Sequence, residues 1–74
     1  MTYLATFSSQ FDSILASRLL RRAGARTARL MPVPRELSTA CGTCVEFDWE
    51  GEPPAVDRAE HLYRRLGTAW ELLR

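Results

Sequence analysis

The sequence predicts an α+β domain of element order βαββαβ, folded as a four-stranded antiparallel sheet with two helices on one face, the ferredoxin-like arrangement. Three observations predict it. Short runs around Tyr3, Leu30 and Val45 and near the C-terminus alternate apolar with polar residues, as half-buried strands do. Two longer stretches, after Ser9 and after Pro54, repeat apolar residues at the helical period. Each βα unit is too small to bury its apolar face alone, and right-handed crossovers let two split βαβ units interlock in one sheet. The 74 residues make one domain, 1–74.

Thr2 to Phe7 sets Tyr3, Ala5 and Phe7 against Leu4 and Thr6 and forms the first strand. Ser9 and Asp12 have the spacing of a capping box that starts a helix, and Gly24 is placed to end it in the left-handed conformation. On that helix Leu15, Ala16, Leu19, Leu20 and Ala23 share one side, with Ser13, Ser17 and Arg21 opposite; Arg18, Arg21 and Arg22 complement the negative end of its dipole. Arg26 to Met31 is a short edge strand stopped by Pro32, which cannot donate to a ladder. Thr43 to Phe47 is the third strand, with Thr43, Val45 and Phe47 on one face and Cys44 and Glu46 on the other. If Val45 and Phe47 point inward, the outer sheet face carries Leu4, Thr6, Cys44 and Glu46.

Trp49 to Pro54 is a loop with Gly51, Pro53 and Pro54, and Pro54 suits a first helical position. The second helix then groups Ala55, Val56, Ala59, Leu62, Tyr63 and Leu66 against Asp57, Arg58, Glu60, His61, Arg64 and Arg65. His61 sits mid-way on its polar face with Asp57 one turn earlier, a solvated ion-pair partner. Gly67 ends this helix, and Thr68 to Leu73 returns as the last strand.

Ten arginines, with no lysine, are offset by nine carboxylates to a net charge of +1, which leaves no global field to attract nucleic acid or an anionic membrane. Ile14 to Leu20 is interrupted by Ser17 and Arg18 and falls far short of the roughly 20 residues of a membrane span. Met1 to Gln10 lacks the basic start and apolar run of a signal peptide. The expectation is a cytoplasmic protein in which two cysteines serve redox, sulfur or metal chemistry more than a structural staple.

Both cysteines fall in Pro32 to Asp48, in the C-x-x-C step Cys41-Gly42-Thr43-Cys44. Two thiols at this spacing can form a disulfide, share a metal, or let one resolve an adduct on the other. In an extended strand their Cα atoms would stand about 10 Å apart, too far to bridge, so the outcome turns on whether the third strand starts before or after Gly42. The reading favours Cys41 on the loop as the reactive thiol and Cys44 as its neighbour or a part-buried core thiol. Arg35, in a short turn opened by Pro34, is the cation available to stabilise a thiolate, and Ser38 offers a hydroxyl on the approach to Cys41. Nothing resembles a hydrolase, because the one histidine is His61. One C-x-x-C supplies two ligands where structural zinc takes four, so zinc or an iron–sulfur cluster would need two copies joined as a homodimer. A thiol-redox or protein-interaction module is the other alternative.

Tyr-Leu-Ala-Thr-Phe at Tyr3 to Phe7, Asp12, Arg-Arg-Ala-Gly at Arg21 to Gly24, and Pro-Val-Pro-Arg-Glu-Leu-Ser running on to Cys41-Gly42 together resemble the short selenium/sulfur carrier-like family over nearly the whole chain. Arg35, Ser38, Cys41 and Gly42 match that family's motif. The resemblance implies a domain that holds sulfur or selenium on a cysteine as a persulfide or selenosulfide, takes it from a donor protein and passes it to an acceptor protein. A carrier or binding protein is expected in place of a standalone enzyme, with no bound cofactor and no metal. Two departures stand out: Ser8 to Phe11 lacks the family's histidine- or asparagine-rich character, and Trp49 to Pro54 is longer and richer in proline. Neither touches Cys41.

Overall fold

In the computed structural model, which describes residues 1–37 and 42–74, the alternation of the first segment becomes the centre of the sheet. β1 (Thr2–Phe7) pairs antiparallel with β3 (Thr43–Asp48), and β3 with β2 (Thr27–Pro32). On the other side β1 pairs antiparallel with β4 (Ala59–Leu66), which turns into β5 (Ala69–Leu72). The order across the sheet is β2-β3-β1-β4-β5. Tyr3, Ala5, Phe7, Ala28, Val45, Phe47 and Leu62 form the core on one face, closed by Ala16 and Leu20 of α1 (Gln10–Ala23). Tyr3 and Phe47 stack with ring centroids 5.6 Å apart.

The helix ends obey their local chemistry. Ser9 takes an extended conformation and its hydroxyl accepts from the Asp12 N–H at 3.2 Å. At the other end Gly24, at φ 115, turns its N–H back to the last carbonyls, and Ala25 N–H reaches Leu20 O at 2.9 Å. Arg21 donates through Nε and Nη2 to Ala28 O on the edge strand, at 3.1 and 2.9 Å. The inward side of α1 is rotated from the expected one: Ser13 and Ser17 are buried with Ala16 and Leu20, while Leu15 and Leu19 remain 38% and 45% exposed. Both hydroxyls are satisfied along the helix, Ser13 to Gln10 O at 2.7 Å and Ser17 to Ile14 O at 2.8 Å, so small side chains can lie against the sheet without an unpaired polar atom. Leu15, Leu19 and Ala23 instead line a crevice facing Pro54 and Val56.

The fold is not ferredoxin-like. Its described residues form one helix and five strands, and the segment expected as the second helix is β4. Arg58 adopts φ 67, which breaks any helix begun at Pro54, and Ala59 N–H closes a turn onto Val56 O. From Ala59 onward β1 supplies the missing partner: Leu62 lies opposite Ala5 in the core, and a bulge between the Thr6 and Phe7 pairings absorbs one extra residue of β4. Gly67, at φ 60, is the first central residue of a two-residue hairpin with Thr68, not the end of a helix. The loop between β3 and β4 lies on the helix side of the sheet, where Tyr3 Oη meets Gly51 O at 3.3 Å and Arg74 donates to Pro54 O at 2.8 Å.

Candidate functional site: a cross-strand row through Cys44

The β2–β3 connection is closed at its neck by Val33 N–H donating to Gly42 O at 3.1 Å. Inside it Leu37 N–H bonds Pro34 O at 3.0 Å, a tight turn that Pro34 opens with its fixed φ. Arg35 sits in that turn, exposed, with no hydrogen bond or ion pair among the described residues. Ser38 and Cys41 lie outside the described residues, and with them any Cys41–Cys44 disulfide. Gly42 holds φ 71, a conformation that strains other residues, and β3 starts just after it at Thr43. The chain therefore leaves extended geometry between the two cysteine positions, so the spacing argument against their meeting does not apply.

Cys44 is fully buried on the sheet face opposite α1. Its Sγ lies 3.5 Å from Met31 O and 3.7 Å from Pro32 O, so the thiol can donate to the edge of β2. Register sets its neighbours: Met31 on one side and Thr6 on the other, with His61 beyond Thr6. Met31, Cys44, Thr6 and His61 thus form one row across β2, β3, β1 and β4. Directly opposed side chains in such a row have Cβ atoms about 5 Å apart. Thr6 is also fully buried, yet its Oγ1 finds no hydrogen-bond partner among the described residues. A buried hydroxyl left unpaired costs free energy and asks for an explanation.

The next row reads Arg29, Glu46, Leu4, Tyr63, Leu72. Glu46 lies between two cations, Arg29 Nη2 at 2.8 Å and Arg65 Nη1 at 3.9 Å, and Leu4 is fully buried. The outer face is therefore dry along Leu4, Thr6 and Cys44 and charged around them. His61 is exposed and meets Tyr63 edge-on with ring centroids 6.2 Å apart. Its expected place on a helix beside Asp57 is overturned, since β4 carries it to the sheet face of Cys44. The signal that could have found it is Gly67-Thr68 between two alternating runs, a hairpin turn that fixes β4 as a strand. Trp49 packs against the core and donates Nε1–H to Glu52 O at 3.0 Å, and Trp70 lies beneath the Arg65 guanidinium at 5.4 Å.

Among the described residues no cluster of three or more His, Cys, Asp or Glu could hold a metal ion, and no helix is long and apolar enough to cross a membrane. Neither the curated proteins nor the solved structures return a match to the chain. The scan of family models returns the family described as "Putative Se/S carrier protein-like", matched over residues 2–62. That span runs from β1 through the cysteine loop to Leu62 of β4, and the chain belongs to this selenium/sulfur carrier-like family.

Proposed function

We propose that this protein carries sulfur or selenium on a cysteine and hands it between two partner proteins in the cytoplasm, acting as a carrier and not as a standalone enzyme. In this reading Cys41 is the acceptor thiol and Cys44 the second thiol. The Cys41 thiolate attacks the outer sulfur of a donor persulfide, the donor's S–S bond breaks with its electron pair leaving on the donor sulfur, and Cys41 becomes a persulfide. Delivery is the same exchange run onto an acceptor thiolate, so no external oxidant or reductant enters. Arg35, Ser38 and the backbone N–H of Gly42 are the groups assigned to the anion, since a carried sulfur is negatively charged and needs donors around it.

The observation that carries the proposal is family membership in a chain whose two cysteines stand at C-x-x-C spacing around the left-handed turn of Gly42. The loop position also suits the chemistry, because transfer between proteins requires a thiol that can be approached. The test is loading from a persulfide donor followed by mass measurement. Wild type should gain one sulfur, and Cys41→Ser should gain none while folding normally. Full loading of Cys41→Ser would remove Cys41 from the role.

A further inference from the structure

α1 buries small polar side chains and exposes large apolar ones: Ser13 and Ser17 are buried, while Phe11, Ile14, Leu15 and Leu19 are 71%, 36%, 38% and 45% exposed. At helical spacing Phe11, Leu15 and Leu19 make one row, and Arg18 and Arg22 run beside it. Both arginines are exposed and make no ion pair among the described residues. Along the other side of the row runs a crevice of about 150 Å³, walled by Leu15, Leu19 and Ala23 and by Pro54 and Val56 of the β3–β4 loop. Small-molecule pockets run to roughly 300–1,000 Å³, so this crevice suits a single apolar side chain. Asp12 and Arg58, which pair at 3.9 Å, also line it together with Asp57, so the unpaired cations of this surface are those of α1.

The net charge of +1 conceals a division along the chain. Residues 13–45 carry six arginines against the one carboxylate of Glu36, and residues 46–74 carry seven carboxylates against four arginines. Most of α1 belongs to the positive part. We propose that α1 and its crevice are a docking surface for an acidic amphipathic helix of a partner protein. One leucine-type side chain of that helix enters the crevice, and carboxylates about one turn away meet Arg18 and Arg22. The apolar row favours protein over nucleic acid, since a phosphate backbone would satisfy the arginines and leave Phe11, Leu15 and Leu19 in water. A second copy of this chain fits the surface less well, because a two-fold contact sets the same net-positive face against itself. The inference goes beyond the carrier reading and does not depend on it.

The experiment measures, by fluorescence anisotropy, binding of the whole chain to a labelled synthetic helix of about 20 residues with leucines spaced i, i+3 and i+4 and glutamates beside them. Two control helices replace the glutamates by lysines or the leucines by serines. The acidic leucine helix should bind, less tightly as salt is raised, and each control should bind at least about tenfold more weakly. The double variant Arg18→Gln/Arg22→Gln and the single variants Leu19→Ser and Phe11→Ser should each lose about tenfold in affinity. Arg65→Gln, beside Glu46 on the opposite sheet face, should lose nothing. Thermal unfolding establishes that each variant is folded, and the exposed Phe11 keeps the test decisive should Leu19→Ser unfold. No binding of the acidic helix, or equal binding of the lysine control or of the folded arginine variant, overturns the proposal. Tighter binding of a single-stranded RNA through the same arginines overturns it in favour of nucleic acid, and a dimer in sedimentation that Phe11→Ser dissolves overturns it in favour of a second copy. None of these readouts measures sulfur, so failure here leaves the carrier reading standing.

Discussion

The chemistry of single residues sets what this sheet face can do. Cys44 sits on the outer face because a strand's side chains alternate, and Val45 and Phe47 are claimed by the core. That much was legible in the sequence, as was the sharing of this face by Thr6. What alternation alone could not show is that the face is dry there, with the Thr6 hydroxyl unpaired among the described residues. An unpaired buried donor costs stability, so Thr6→Val should leave the protein as stable or stabilise it by about 1 kcal/mol in chemical denaturation. A loss of that size would mean the hydroxyl already has a partner. Gly42 has a different constraint: an added Cβ would meet no atom of the described residues within 4 Å, but its φ of 71 strains any side chain. Gly42→Ala should therefore cost about 1 kcal/mol through backbone strain alone, read from the same denaturation curves.

At the scale of elements, α1 was readable because its ends carry local signals that tertiary context does not override, Ser9 at the start and Gly24 at the close. Ser9→Ala should cost about 1 kcal/mol, measured as a lowered denaturation midpoint with unchanged slope. The segment from Ala55 to Leu66 was misread for a definite reason. Its apolar residues fit a helical wheel, yet Leu62 alternates with Tyr63 just as well on a strand, and the pattern could not choose. The choice was made by β1, which needs a second antiparallel neighbour, and by Gly67-Thr68, which returns the chain as β5. The hairpin then pairs Arg64 with Glu71 and Arg65 with Trp70 across the two strands. Exchanging Arg64 and Glu71 tests this pairing: each single reversal should destabilise by about 0.5 kcal/mol, and the double exchange should recover most of the loss in a mutant cycle. Additive losses would contradict the hairpin register.

For the whole molecule, the result is a sheet with two unlike faces: one closed by α1 and the β3–β4 loop, the other presenting the Cys44 row. The motif gathered Pro34, Arg35, Cys41 and Gly42 in one stretch of sequence, with Cys44 following at the start of β3, but it could not place His61 on the sheet face of Cys44, because that depends on the strand made from the misread segment. The account's central claim is that sulfur or selenium is carried on this pair of thiols. The most direct measurement is the intact mass of protein purified anaerobically without reductant, compared with Cys41→Ser prepared in the same way. The account predicts a fraction of wild type heavier by one sulfur or one selenium, removed by a thiol reductant and missing in Cys41→Ser. An unmodified mass in wild type, persisting after exposure to a persulfide donor, would contradict it.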